Sequence, residues 1–548
     1  MTNTIDFLTQ PIAEKAGFIE VKLGSSDALP YNASFSWPAN PEITSLEYDS
    51  RKVINGSLFF ALTGLHTDGH KFINDSIDRG ARAVIHAEEL AGYREGVVYI
   101  KAKNSRFAMS PVADAFYDFP SRRMAVIGIT GTEGKSTTVY FTYQLLKLAG
   151  KKTGFISTVQ QADGISEKWN EEHQTTPEAP TVHRLLAEMY KNGVEYVVVE
   201  SSSHGLSKRT NRLGDVDFDV AVMTTLTRDH LEFHGTWENY RSDKAELFRA
   251  LDTSPSSHKK NLAKGEVSVP SFCVVNVDYS SGEYFAAATK QKSYSYSSKG
   301  AKADLSLRRI ESGASGNSYE LLVASNGKTV SFNDNLPGAF NTGNVLACLL
   351  VVSNLCSIDV EELTKFVPQL KPVRGRMTRI RQGQPFEVVV DFAHTAASFD
   401  ASLSPLREQL NASGDPGTRG RLICLFGSAG ERDTQKRPEQ GEISARHSDI
   451  VILADEDPRG EEPMAILEEI AQGCHGFEHM KRNETLFLIP DRPKAIRKAF
   501  SLAKAEDIVI LLGKGHENSI IYANETIPYD EISEAEKALE EMGYKGIS

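Results

Sequence analysis

The run MAVIGITGTEGKSTTVYFTYQLLKLAG, residues 124–150, constrains the fold more than any other stretch. MAVIGIT reads as a buried strand, and TTVYFTYQLLKLAG as a helix closed by Gly150. A glycine loop between them aims the positive helix N-terminus at whatever the loop holds. Gly131 and Gly134 let backbone N–H groups converge on anionic oxygens. Lys135 adds a point charge, Ser136 a hydroxyl that can ligate Mg²⁺, and Thr132 and Thr137 complete the cradle. The loop is not a strict G-x-x-x-x-G-K-[ST], because Ile129 stands where the first glycine would fall. It reads as a nucleotide phosphate site, against the plainer alternative of an ordinary strand–helix turn. Glu133 is an anomaly, a carboxylate in an anion loop. Its side chain is expected to point outward, since the contacts would come from backbone, Lys135 and Ser136.

A chain of 548 residues is too long for one ordinary domain. The first block, residues 1–122, carries GSLFFAL and FINDSIDRGARAVIH, a helix ending near Gly80 and then a strand. The second, 123–372, opens with the glycine loop. YVVVE (196–200), VAVMT (220–224) and FCVVN (272–276) follow, separated by helical patterns, so a parallel sheet is expected. From about 300 to 335 the sequence alternates and is punctuated by Gly, Asn and Ser, which reads as appended β hairpins. The third block, 373–548, has EVVVD, RLICLF, IVILA and DIVILL. Each leads into a polar cluster: FAHT, GSAGERD, DEDPRGEEP and GKGHE. Ligands of doubly wound sheets bind at such strand ends. The expected class is therefore α/β, with three domains.

A formal net charge of -12 argues against a nucleic-acid or membrane-surface partner. The cysteines at 273, 348, 356, 424 and 474 have no C-x-x-C spacing and read as reduced core residues. The N-terminal MTNTIDFLTQPIAEKAG lacks the apolar and basic segments of a signal peptide, and LACLLVV is too short to span a bilayer. A cytoplasmic monomer is expected.

Two further clusters carry chemistry. Glu200 ends a strand beside the phosphate loop, where a carboxylate can hold Mg²⁺; the plainer alternative is a helix N-terminal acid. TRDHLEFHGTWENYRSDKAELF, 227–248, packs Asp229, His230, His234 and Lys244 together. His230 and His234 have zinc-pair spacing, but no third ligand follows the pattern, and His234 reads better as a structural histidine.

GITGTEGKSTT, ESSSHGL, LTRDHLEFHGTWENYRSDKAELF, LPGAFNTGNVLA, RGRM, DFAHT, GERDTQKRP, DPRGEEP and GKGHE occur in that order. Together they resemble the Mur ligase family, ATP-dependent amide ligases that build the peptide stem of the bacterial cell wall. DSRKVINGSLFFALTGLHTDGHKFINDSIDRGARAVI resembles the uridine-nucleotide-binding domain of the tripeptide-synthetase branch. The resemblance implies a small UDP-substrate-binding domain (1–122), a central P-loop ATPase domain (123–372) and a Rossmann-like amino-acid-binding domain (373–548). It also implies a reaction. ATP phosphorylates a carboxylate of UDP-N-acetylmuramoyl-L-Ala-D-Glu, and the amine of a third amino acid displaces phosphate from the acyl phosphate.

By the same resemblance Lys135, His230 and Lys244 are catalytic, with Ser136, Glu200, His230 and Lys244 around Mg²⁺. Lys244 would carry CO₂ as a carbamate; from its own sequence context it reads only as a solvated helix lysine. Asn276, Asp278, Asn341, Arg376, Asp391, His394 and Lys436 match nucleotide-contacting positions, which places the nucleotide between the second and third blocks. Ser50 and Arg51 belong to the uridine domain, while Thr175, Thr176, Ser203 and Arg212 match muramoyl-substrate contacts. Arg437 resembles the anchor for the amino acid's carboxylate and Glu517 the residue that takes its distal amine, with Gly513 a further substrate-binding position.

The third amino acid turns on EDPRGEEP. Relatives that add meso-diaminopimelate usually carry D-N-P-R; here Asp457 replaces Asn and Arg459 is kept. A carboxylate there favours a free ammonium and disfavours a distal carboxylate. Lysine or ornithine is favoured, with diaminopimelate open. Further departures are Arg374 for a common Pro, Ala396 and Ala397 for Pro and Asp, and Thr225 for Asn. The rivals are a folylpolyglutamate synthase-type ligase, which would lack the DSRKV domain and DPRGEEP, and a catalytically inactive nucleotide-binding relative.

Overall fold

The run AVIGIT forms the strand Ala125–Thr130, and every residue in it is buried. Burial on both faces explains its unbroken apolar character, as expected of a strand inside a parallel sheet. In the computed structural model the described residues are 4–9, 12–31, 40–64, 67–170, 174–253, 259–262, 265–313, 316–336, 338–412 and 419–545. The chain divides into two units. One comprises Met1–Arg309, Tyr319–Phe332 and Thr342–Pro368; the other comprises Ile310–Ser318, Asn333–Asn341 and Gln369–Ser548.

In the first unit Ala125–Thr130 lies parallel between Tyr196–Glu200 and Val220–Met223. Thr153–Ile156 extends the sheet on one side, and Phe272–Asn276 and Lys292–Ser297 extend it on the other. The strand order therefore reverses beside Ala125–Thr130, which opens a crevice at the carboxyl ends. The expected hairpins are the strands Leu305–Gly313, Gly316–Val323 and Lys328–Asn333 at one edge of this sheet. The opposite edge carries a hairpin that the sequence reading did not anticipate, Gln160–Ala162 with Glu167–Trp169.

A smaller six-stranded sheet holds residues of the first block. Ser45–Glu47, Ser57–Phe60, Ala83–His86 and Val98–Ala102 run parallel, and Phe18–Leu23 closes antiparallel on Val98–Ala102. The helix Ser105–Phe116 covers it with Ala108, Met109 and Val112.

The apolar run around LACLLVV belongs to the helix Thr342–Cys356. With its lead-in turn, Ala339–Cys356 is long and apolar enough to cross a membrane, which corrects the reading of the run as far too short. However, 67% of that window is buried inside the protein, and the helix packs on Lys135–Leu148. It is a core helix.

In the second unit Glu387–Asp391, Ile508–Leu512, Leu422–Phe426, Ile450–Leu453 and Leu486–Leu488 form a parallel sheet edged by antiparallel Thr378–Ile380. Ala396–Ala412, Lys436–His447 and Pro463–Cys474 cover one face, and Arg492–Leu502 with Glu531–Glu541 the other. The three-residue strand Leu486–Leu488 is too short to give a period and was not read from the sequence. All five cysteines are free thiols, four of them buried.

Candidate active site

The loop after Ala125–Thr130 is pinned from the neighbouring strand. The hydroxyl of Thr224 donates to the Glu133 carbonyl at 2.6 Å, and the Glu133 N–H donates to Thr225 Oγ1 at 2.8 Å. Thr225, which stands where Asn is usual, thus anchors the loop. A Cβ on Gly131 would lie 1.9 Å from Thr224 Oγ1, and its φ of +153° lies among conformations that favour glycine. Gly134, at φ +81°, precedes the helix Lys135–Leu148. Lys135 Nζ bends back to the Thr132 carbonyl at 2.7 Å. Thr132 Oγ1 meets the Tyr240 hydroxyl at 2.9 Å. The Glu133 side chain also interacts within the fold, and its charge reaches Tyr240, Lys244 and Tyr279. Thr137 is half-buried on the first helical turn.

Glu200 is buried at the end of its strand, as its position suggests. Oε1 accepts from Ser136 Oγ at 2.9 Å; Oε2 accepts from Ser157 Oγ at 2.6 Å and from the Thr158 N–H at 2.9 Å. A carboxylate aimed at the phosphate-loop hydroxyl supplies hard oxygen ligands, the donor type Mg²⁺ takes. No group of three His, Cys, Asp or Glu side chains that could hold a metal occurs among the described residues. Ser136 and Glu200 would therefore leave most of the shell to phosphate and water, the usual arrangement for Mg²⁺.

Lys244 lies on the helix Trp237–Ala250 and is buried, with Nζ donating to the Gly131 carbonyl at 2.6 Å. Burial, helped by the Lys135 charge, holds its amine well below the ordinary lysine value. His230 is more open, has φ +53°, and its Nε2 lies 3.3 Å from Asp229 Oδ2. His234 is structural. Its Nδ1 meets Asp243 at 2.7 Å and its Nε2 meets Ser203 Oγ at 3.1 Å, so both nitrogens are occupied.

Around this centre, Thr176 Oγ1 donates to the Glu200 carbonyl at 3.0 Å and accepts from the Ser202 N–H at 3.1 Å. Thr175 is half-buried beside it. Arg212 donates to the Thr176 carbonyl and to Glu178 Oε1, both at 2.9 Å. Arg106 shares that same Glu178 oxygen at 3.0 Å. Asn276 is buried against the Thr224 carbonyl at 2.9 Å. Asp278 is held by Ser297 and by Ser298, whose N–H donates to Oδ2 at 2.7 Å. Asn341 is buried in a short 3₁₀ turn of the second unit. Ser50 and Arg51 sit on the turn Ser50–Lys52, where Asp49 caps the Arg51 N–H at 3.0 Å and pairs with its guanidinium.

In the second unit the carboxyl strand ends carry a second set of groups. Asp391 accepts from the N–H groups of Met377 at 2.8 Å and Ala393 at 2.9 Å, and burial pushes its carboxyl up. The Arg376 guanidinium lies 4.6 Å over the Phe392 ring. The His394 carbonyl accepts from Lys436 Nζ at 3.3 Å. Arg437, expected to anchor a substrate carboxylate, has no exposed side-chain surface. It donates to Glu461 at 2.9 Å and to Glu469 at 2.8 Å, so this structure gives it protein carboxylates instead.

Asp457 also differs from the expectation of an open carboxylate. Its Oδ1 accepts from Lys514 Nζ at 2.8 Å and from the Ile521 N–H at 3.0 Å. Lys514 Nζ donates in turn to Glu517 Oε2 at 2.6 Å. Neither Lys514 nor the buried Glu456 was singled out from the sequence. Burial pushes the Glu456 carboxyl up to about 7 and that of Asp455 up to about 6. A Cβ on Gly513, at φ +98°, would lie 2.9 Å from Glu456 Oε2. Arg459, at φ +56°, donates its N–H to the Ile521 carbonyl at 2.9 Å and buries an unpartnered Nε.

The chain matches the Mur ligase middle domain over residues 129–352, the Mur ligase glutamate ligase domain over 375–515 and the Mur ligase catalytic domain over 42–118. It is 48% identical to a UDP-N-acetylmuramyl-tripeptide synthetase of Treponema denticola, over 91% of this chain and 94% of that one. The chain belongs to the Mur ligase family. A second Mur ligase relative, the UDP-N-acetylmuramoyl-L-alanyl-D-glutamate--2,6-diaminopimelate ligase of Geobacillus kaustophilus, is 35% identical over 92% of this chain and 96% of its own. A solved structure of a ligase with that same name superposes with a TM-score of 0.60 at 26% identity and covers 100% of both chains. Like other Mur ligases, the chain is an ATP-dependent ligase.

Proposed function

We propose that the chain joins a diamino acid to UDP-N-acetylmuramoyl-L-Ala-D-Glu during peptidoglycan synthesis, through an acyl phosphate. The observation that carries this reading is the Ser136–Glu200 hydrogen bond at the mouth of a strand–glycine loop–helix cradle. It pairs a Mg²⁺ carboxylate with the phosphate-loop hydroxyl, in a chain similar over most of its length to tripeptide synthetases.

The γ-phosphoryl group of ATP would pass to a substrate carboxylate, leaving ADP and an acyl phosphate. The amine of the third amino acid would then attack the acyl carbon and lose a proton, and inorganic phosphate would leave with the C–O bond electrons. Gly131, Thr132, Gly134 and Thr137 line the cradle, and Lys135 neutralises charge on the transferring group. Ser136, Glu200 and His230 would hold Mg²⁺, which when bound would supply further positive charge to the phosphate groups. Lys244, whose burial holds its amine well below the ordinary lysine value, would take CO₂ as a carbamate and so become an anionic oxygen ligand. Thr175, Thr176, Ser203 and Arg212 would hold the muramoyl substrate, and Ser50 and Arg51 its uridine end. The blocks 1–122, 123–372 and 373–548 would bind UDP-substrate, ATP and amino acid respectively.

The acidic character around Asp457 supports lysine or ornithine over diaminopimelate. The deciding experiment offers the purified protein ATP, Mg²⁺ and UDP-N-acetylmuramoyl-L-Ala-D-Glu, with lysine, ornithine or meso-diaminopimelate in separate reactions, and follows phosphate release. Release with lysine or ornithine is expected. Preference for diaminopimelate would mean that Arg459 outweighs Asp457, and release with none would overturn the assignment.

A further inference from the structure

Lys514 is the least expected group at the strand ends of the second unit. It follows Gly513, has no exposed side-chain surface, and its ammonium joins two carboxylates, Asp457 at 2.8 Å and Glu517 at 2.6 Å. Burial alone would lower its pKa. Glu517 and Asp457 outweigh that effect and hold it above the ordinary value, so the lysine stays charged. Each carboxylate gives one oxygen to Lys514, and among the described residues no hydrogen bond is made to Asp457 Oδ2 or Glu517 Oε1. Two acidic side chains and one basic one give these three groups a formal charge of about −1.

We propose that Lys514 is a positioning residue that sets amino-acid specificity by acting as the internal counter-ion of Asp457 and Glu517. This rests on the reading of that cluster as the site for the amino acid's distal end. Specificity then follows the sum of three charges and not Asp457 alone. The distal end of lysine or ornithine is a single cation and matches a net charge of −1. The distal end of diaminopimelate carries an ammonium and a carboxylate, which sum to zero. Lys514 also lets buried Asp457 and half-buried Glu517 stay ionised side by side; without it their repulsion would favour protonation of one.

The arithmetic gives a suppressor test. Asp457→Asn brings the cluster to zero, and adding Lys514→Met returns it to −1 with Glu517 as the remaining charge. Lys436 is unchanged in all variants, and because the Glu456 carboxyl, pushed up to about 7, feels both Asp457 and Lys514, selectivity is compared at pH values on either side of that value. The measurement is kcat/KM for lysine, ornithine and diaminopimelate by phosphate release, with ATP and the UDP-dipeptide saturating. Asp457→Asn is expected to lower selectivity for the monocationic amino acids over diaminopimelate by about tenfold or more, chiefly through KM. The double variant Asp457→Asn/Lys514→Met is expected to restore most of it, although it has lost two of the three groups. A lysine with a purely structural role would not restore selectivity.

Lys514→Met alone leaves buried Asp457 and half-buried Glu517 together without a counter-ion and is the variant most at risk of not folding, so the conclusion does not depend on it. If wild type prefers lysine or ornithine but the double variant stays as unselective as Asp457→Asn, the role of Lys514 is wrong and the assignment of the pocket survives. If wild type prefers diaminopimelate, both fail.

Discussion

Lys244 Nζ lies 2.6 Å from the carbonyl oxygen of Gly131, and the lysine side chain is almost wholly removed from water. A helix residue thus reaches the loop that begins the phosphate cradle. An amine so placed gains one hydrogen bond and loses the hydration of its charge, which is why burial lowers its pKa so far. A buried lysine of this kind costs stability, which marks it as a candidate functional group.

Lys244→Met should therefore leave the protein at least as stable as wild type while lowering ligation by about 10²-fold or more. The pH dependence has a definite sign. With the folded pKa below the unfolded one, the penalty is fully present below the folded value and vanishes above the unfolded value, about 10.4. Wild-type stability relative to the methionine variant should rise with pH across that window. Thermal unfolding of both proteins from pH 6 to pH 10 checks this, and a constant difference would contradict it.

Glu200→Gln keeps the size of the side chain but removes the charge facing Ser136. One amide oxygen can still accept a hydrogen bond, so folding stability should fall by only about 1–3 kcal/mol. Mg²⁺-dependent turnover should suffer more, with the Mg²⁺ concentration for half-maximal rate rising about tenfold or more. Titrating Mg²⁺ at fixed ATP separates the two effects.

Arg492 and Glu531 form an ion pair with no exposed surface on either side chain, at 2.7 Å. Arg492 also donates to the Asp455 carbonyl at 3.1 Å and the Leu512 carbonyl at 2.7 Å, joining two strand ends to the C-terminal helix. Removing one partner strands the other charge, so Glu531→Leu or Arg492→Met should each cost about 3–5 kcal/mol. The double variant should be less destabilised than the sum of the singles, which denaturant unfolding of all four proteins would reveal.

Glu456 gives an independent pH test. Its carboxyl is pushed up to about 7 by burial, from an ordinary value near 4.5. The folded state thus holds a proton that the unfolded state releases. The contribution is fully present below the unfolded pKa and is lost as pH rises through about 7. Wild type should lose on the order of 3 kcal/mol relative to Glu456→Gln over that span, seen in unfolding midpoints from pH 4.5 to pH 8.

Much of this protein is legible in its sequence because local chemistry is enough to specify it. AVIGIT followed by GTEG and a helical run fixes strand, loop and helix, since only a glycine fits where Gly131 meets Thr224. The apolar runs at 196–200, 220–224, 387–391 and 507–512 name strands buried on both faces, and Glu200 and the GKGHE cluster fall at their carboxyl ends for the same reason. What the sequence left undetermined depends on pairing across long separations. Lys244 reads as a solvated lysine until Gly131, 113 residues away, is folded against it. Asp457 reads as an open carboxylate until Lys514 arrives from 57 residues further on. Arg437 reads as an anchor for a substrate carboxylate, and only the fold shows that Glu461 and Glu469 pair with it. Residue type and spacing set which elements form and which ends carry polar groups. Tertiary packing set which of those groups are desolvated and which charges are already paired, because desolvation and pairing depend on neighbours in space and not in sequence.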